Sequence, residues 1–330
     1  MPGINLATPQ DIIAAVPYLL GFHPDDSLVV IAITARRVFV IVRYDLPDSV
    51  AVGERDLAGE LADRLAVVLA QHKADSVMLL GYGTADRARP ALIAAIARLA
   101  DLLTVREALQ VTGSRFWSLL CAECCPPDGI EFDSTATVPA AQLTALGFAP
   151  YDSRDAMRAS IAPLEGTAAE AMQAAVRRAT ADLPPVGIDG PDSRHLARLR
   201  ELLAPAGPLS DADAADLIVL LGHLRLRDEA WILTEAGEPD AQVAFWTDIT
   251  RRAPASHVAA PASLMAYAAA CMTGNGVLAR LALERALAVQ PDYELAQLIM
   301  MMLDSGIEPS RCRIRTVAAD LDPIPGPSAS

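Results

Sequence analysis

Leu28-Val29-Val30-Ile31-Ala32-Ile33 and Val38-Phe39-Val40-Ile41-Val42 are two apolar, largely β-branched runs separated by Thr34-Ala35-Arg36-Arg37. Branched side chains suit a pleated surface, so each run reads as a strand and the four residues between them as the turn of a β-hairpin. Neither run alternates with polar residues. Both strands are therefore expected to be covered on both faces and to lie inside a sheet.

Upstream, Thr8-Pro9-Gln10-Asp11 supplies a capping hydroxyl, a proline at the first helical position and an acid in the first turn, predicting a helix from about Pro9 towards Leu20. Pro17 removes a backbone donor and is expected to kink or split that helix, and Gly21 to end it. Downstream, the pattern predicts a helix over Glu54 to Gln71, a strand over Ser76 to Leu80 and a helix over Ala88 to Leu103. Strands follow at Arg106 to Thr112 and Arg115 to Leu120 around a tight Gly113-Ser114 turn. This order describes an α/β domain with a mixed sheet over about residues 1–150.

From Asp155 onward strand signals vanish and helical periodicity recurs between Pro and Gly breaks, so residues 151–318 read as all-helical. Gly274, Ala279, Leu283, Ala286 and Pro291 fall at tetratricopeptide offsets, and Gly237, Trp246, Ile249 and Pro254 repeat part of the pattern 37 residues earlier. Tetratricopeptide-like helical hairpins are thus expected over about 224–304. Residues 319–330, rich in Pro and Ser, are expected to be disordered.

At 330 residues the chain has room for two cores, and its 52% hydrophobic content with only 5% aromatics suits close-packed aliphatic elements. A formal charge of −14 opposes nucleic acid and anionic membrane as partners, because phosphate binding draws on Lys and Arg. Met1 to Gln10 lacks the pattern of a signal peptide, and no apolar run reaches the roughly 18–20 residues a membrane span needs. A cytoplasmic location is expected, and with it free thiols.

The hairpin has a consequence for function. It sets His23, Asp25, Asp26 and Ser27, before the first strand, beside Arg43, Tyr44 and Asp45 at the end of the second. Crossover helices then deliver Gly81-Tyr82-Gly83-Thr84 and Thr112-Gly113-Ser114-Arg115 to the same rim. Open α/β sheets bind ligands at the carboxyl ends of their parallel strands, so this rim is the candidate ligand site: His23, Asp25, Asp26, Ser27, Asp45, Gly81, Tyr82, Gly83 and Arg115.

Several chemistries can be written for these residues. His23, Asp25 and Asp26, with Asp45 nearby, carry the ligand atoms of a hard divalent cation or a general base; the plainer account is a turn leading into the strand. Ser27 with His23 offers nucleophile and base types, but neighbours four apart in one loop rarely converge that way. Gly81-Tyr82-Gly83 lets backbone donors approach an anion, yet lacks the full glycine-rich fingerprint. Cys121, Cys124 and Cys125 fall short of four zinc ligands and read as an apolar corner, with Cys124 and Cys125 as a redox thiol pair in the alternative.

The segment Val16-Pro17-Tyr18-Leu19-Leu20-Gly21-Phe22-His23-Pro24-Asp25-Asp26-Ser27-Leu28-Val29-Val30 resembles the opening signature of an actinobacterial family, domain of unknown function 4192. Gly81-Tyr82-Gly83, Arg115-Phe116-Trp117, Cys124-Cys125-Pro126-Pro127-Asp128-Gly129 and Gly274-Asn275-Gly276 agree with it, so the likeness spans most of the chain. Asp128 stands where the family carries Glu, and the Cys121 to Cys124 spacer is shorter than usual, which weakens a metal site built on all three cysteines. The resemblance implies an intracellular protein of this architecture and no particular reaction. The leading expectation is a small ligand bound by the α/β domain and a protein partner by the helical domain. The alternatives are a metal-assisted hydrolase using His23 and the nearby aspartates, and a structural or oligomerisation module; no cofactor is specified.

Overall fold

A computed structural model of the chain describes residues 6–35, 37–46, 59–60, 63, 66–67, 69, 74–121, 123–184, 186, 190–204, 207–307, 309–313, 321 and 324. It divides into two compact units, Met1–Met157 and Arg158–Ser330. Most of the helix expected over Glu54 to Gln71, and most of the 319–330 tail, lie outside the described residues.

In the first unit, α1 (Pro9–Leu20) begins as read: Thr8 accepts from the Asp11 backbone N–H, Asp11 accepts from the Thr8 backbone, and Gly21 closes the helix at φ 83°. Of the expected kink or split at Pro17, the split does not occur. The helix runs through it, and Gly21 N–H donates to the Pro17 carbonyl at 2.8 Å.

Strands β1 (Ser27–Thr34), β2 (Arg37–Asp45) and β3 (Ser76–Tyr82) are followed by α2 (Ala85–Leu99), then β4 (Thr104–Thr112), β5 (Arg115–Ser118) and β6 (Ile130–Glu131). The sheet is mixed, in the order β2-β1-β3-β4-β5-β6. β1 is antiparallel to both β2 and β3, β3 and β4 are parallel, and β4 to β6 form antiparallel pairs. The hairpin reading therefore holds, with Ser27 opposite Asp45. The burial reading holds for β1 alone. β2 is an edge strand, and Val38 is 42% exposed there.

Alternation along the strands separates two faces. Leu28, Val30 and Ala32 of β1, Val77 and Leu79 of β3, and Ala108 of β4 pack in one core with Ala88, Leu92, Ala95 and Leu99 of α2. Ser27, Val29, Leu80 and Tyr82 point to the opposite face. The unit continues with α3 (Val138–Ala145), which packs on α1, and with α4 (Arg154–Ser160), inside which the unit boundary falls.

The described part of the second unit contains helices and no named strand: α5 (Gly166–Asp182), α6 (Ser193–Leu203), α7 (Asp211–Leu220), α8 (Leu224–Glu235), α9 (Pro239–Arg252), α10 (Ala259–Tyr267), α11 (Gly276–Val289), α12 (Glu294–Asp304) and the short α13 (Pro309–Cys312). Every residue of α10 is buried, and the helix continues as a π-turn over Ala268–Met272. Trp246 and Tyr267 are the largest wholly buried side chains. Trp246 Nε1 donates to Thr234 Oγ1 at 2.9 Å, and Tyr267 meets Trp231 edge to face at 5.3 Å.

Candidate functional site

Strand register fixes the rim. Asp45, Ser27, Tyr82, Val111 and Phe116 form one row across β2, β1, β3, β4 and β5, all on the face turned away from α2. Above the centre of the row lies a cleft of about 490 Å³. Ile13 and Pro17 of α1 line it, with His23, Pro24, Asp25 and Asp26 from the loop before β1. Tyr82, Gly83 and Thr84 line it from the end of β3, Val111, Thr112 and Gly113 from the end of β4, and Phe132 and Ser134 from the chain after β6.

The loops are held by hydrogen bonds. His23 N–H donates to the Tyr151 carbonyl at 2.9 Å, and Tyr151 N–H to the Gly21 carbonyl at 2.8 Å. Asp26, at φ 40°, is paired with Arg87, which also donates to the Leu46 carbonyl at 3.2 Å. Gly83 has φ +131°, and a Cβ there would lie 2.8 Å from Asp26 Oδ1, so glycine is required by both conformation and space. Its carbonyl accepts from Thr112 Oγ1 at 2.6 Å, and Thr112 Oγ1 accepts from the buried Gln110, itself held by Arg89.

Tyr82 is different. It is 8% exposed, and its hydroxyl is buried with no hydrogen-bond partner among the described residues. Burial pushes that hydroxyl far above the usual phenolic range, so it stays protonated as both donor and acceptor.

Of the residues singled out in the sequence, His23, Asp25, Asp26, Tyr82 and Gly83 share the cleft; Ser27, Asp45, Gly81 and Arg115 do not line it. Ser27 is wholly buried, donating to the Asp25 carbonyl and accepting from Arg43 Nε at 2.7 Å. This is the turn into the strand, and it leaves no free nucleophile. Asp45 is paired with Arg43 at 2.6 Å. Gly81 faces α2: a Cβ would meet Leu92 Cδ1 at 2.9 Å, so its role is core packing. Arg115 turns towards β6 and donates to the Asp128 and Gly129 carbonyls at 3.1 and 3.4 Å.

The metal reading of His23, Asp25 and Asp26 finds no geometric support. Among the described residues no three His, Cys, Asp or Glu side chains converge as a metal site. The cysteine reading also changes. Cys121 and Cys124, with Cα atoms 5.4 Å apart, form a disulfide where free thiols were expected, and Cys125 is left free, its sulfur accepting from Ser118 N–H at 3.3 Å.

A family pattern described as a domain of unknown function, DUF4192, matches residues 9–310. The chain belongs to the DUF4192 family. The DUF4192 region takes in every described strand, the whole cleft lining and α1 to α12. No curated protein and no solved structure matches the chain.

Within this DUF4192 chain, sequence reasoning missed Phe132 and Ser134, which reach the cleft through the β5–β6 pairing; Phe132 N–H donates to the Ser114 carbonyl at 2.9 Å. No local motif marks them. Ile13 and Pro17 were assigned only to a helix, although a proline kept inside a helix is itself a signal of a special position.

Proposed function

We propose that this protein binds a small molecule in the rim cleft. The observation that supports the reading is Tyr82, which lines the cleft and whose buried hydroxyl has no partner among the described residues. Buried polar groups are nearly always satisfied, and one that is not points to a partner supplied from outside. Glycine at 83, the Arg87–Asp26 pair and the Thr112 bond make the surrounding rim rigid enough to hold a ligand in one pose.

A thermal-shift screen against amines, sugars, nucleosides, organic acids and metal ions tests this. A binding compound raises the melting temperature of the wild type, and Tyr82→Trp, whose larger ring enters the cleft, removes the rise. If no class of compound shifts the melting temperature, or if every rise survives Tyr82→Trp, the cleft is not a ligand site. Gly81→Val and Arg115→Ala are poor probes, since Gly81 packs on Leu92 and Arg115 serves β6.

The helical unit enters the proposal as tetratricopeptide-like hairpins that contact a protein partner. What supports this is close packing of α10 with α11, with Ala279, Ala282 and Ala286 buried, as small residues at a hairpin seam allow. Deleting residues 224–310 should then release a partner that co-purifies with the full chain; a partner retained by the deleted protein contradicts this.

A further inference from the structure

We infer that the rim cleft is built for a small organic cation, an amine whose carbon skeleton rests on the apolar wall while its ammonium meets Asp25, and that it rejects anions of similar size. This deepens the ligand-binding reading above and rests on it.

Asp25 is the carboxylate of the lining that has no cation partner among the described residues, whereas Asp26 is paired with Arg87. Asp25 Oδ1 accepts only the Asp26 backbone N–H, at 3.0 Å, and among the described residues no Arg or His side chain pairs with the Asp25 carboxylate. Pro17 has no N–H to give the Ile13 carbonyl four residues earlier, so the unbroken α1 leaves that carbonyl without its usual helical donor, and both residues line the cleft. Thr112 has already spent its proton on the Gly83 carbonyl. The His23 imidazole and the Thr84 and Ser134 hydroxyls of the lining can act in either sense, as can the buried Tyr82 hydroxyl.

The arginines that would receive an anion are engaged. Arg87 is held by Asp26 and the Leu46 carbonyl, and Arg43 by Ser27, Asp45 and the Asp25 carbonyl. The N-terminus of α2 is the feature that argues for an anion. Its first turn already carries an acid, Asp86, whose carboxylate is hydrogen-bonded to Thr84 and to its own backbone N–H. An incoming anion would meet Asp25 in the lining, with Asp86 two residues beyond the lining residue Thr84. Ile13, Pro17, Val111 and Phe132 complete an apolar wall suited to an aliphatic or aromatic skeleton.

Phenethylamine and phenylacetate share a ring and a length and differ in the sign of their charge, so isothermal titration of the full chain with each isolates the claim. Phenethylamine should bind at about millimolar affinity or better and phenylacetate at least about tenfold more weakly. Asp25→Asn, which keeps an oxygen for the Asp26 N–H, should weaken the amine by about tenfold, since a charge-assisted bond is lost. Phenylacetate binding as tightly as the amine, or amine affinity unchanged in Asp25→Asn, overturns the inference. So does the failure of both probes at about 10 mM. If a compound of another class then binds and is lost in Tyr82→Trp, only the cation preference falls; if none does, the ligand reading falls with it.

Discussion

A phenolic hydroxyl shut away from water without a partner costs the fold on the order of 1–3 kcal/mol. Among the described residues the Tyr82 hydroxyl has no partner to offset that cost. Tyr82→Phe should therefore raise the stability of the free protein by about 1 kcal/mol in denaturant titration, whereas most buried substitutions lower it. The same variant should respond less than the wild type to any compound found in the thermal screen. A loss of stability in Tyr82→Phe would mean that the hydroxyl is satisfied in solution, and the argument for an external partner would lose its support. None of this is legible at residue 82 in the sequence. Tyr82 was reachable there as part of a glycine-flanked turn, but an orphaned hydroxyl is created by the tertiary surroundings, and Val111 and Ile13, which line the cleft with Tyr82, come from distant parts of the chain. Ser27 is the opposite case: its neighbours in sequence, Asp25 and Asp26, already spell a turn, and the turn is what the Ser27 bonds form.

Among the elements, those whose ends are written locally were the legible ones. Thr8, Asp11 and Gly21 specify both ends of α1, and the β-branched runs specify the hairpin and with it the rim. An element placed by long-range pairing was not: β2 was expected to be covered and lies at an edge. The Cys121–Cys124 pair is local, three residues apart, and was passed over because free thiols were expected. The cysteines give a direct check. Alkylation of denatured, unreduced protein should modify three of the five cysteines, Cys125, Cys271 and Cys312, and prior reduction should raise this to five. Five adducts without reductant would show that Cys121 and Cys124 are free thiols. The cap of α6 gives a second. Asp192 Oδ2 accepts from Arg194 Nη2 at 2.7 Å and Oδ1 from the Arg194 backbone N–H at 2.9 Å. The Arg194 guanidinium, and after it His195, hold the Asp192 carboxyl well below its ordinary value of 3.8. A carboxyl depressed in the folded state contributes stability that is present above its unfolded pKa and lost as pH falls through the folded one. The melting temperature of the wild type should therefore exceed that of Asp192→Asn at pH 7, and the gap should begin to narrow below about pH 4 and go on shrinking as pH is lowered towards about 2. A gap that stays constant across that range would show that the charge of Asp192 plays no part.

At the scale of the whole chain, each unit holds the means to fold by itself. The first buries Leu28, Val30, Leu79, Leu92 and Leu109 around its sheet, and the second buries Trp246, Leu264, Tyr267 and Leu283 around α10. Both fall within the usual span of about 50–250 residues for an autonomous domain. Fragments 1–157 and 158–313 should thus each express as folded protein, with a cooperative thermal transition by circular dichroism and dispersed amide signals by NMR. The cut falls inside α4, where Met157 is buried, so some loss of stability at that end is expected. The cleft gives the separation a functional reading, because every residue that lines it belongs to the first unit. Fragment 1–157 should keep the affinity of the full chain for phenethylamine within about threefold, less than the tenfold that about 1.4 kcal/mol would produce. A folded first fragment that has lost the amine would place the recognition determinants beyond residue 157, and a first fragment that does not fold would show that the sheet depends on the helical unit for its stability.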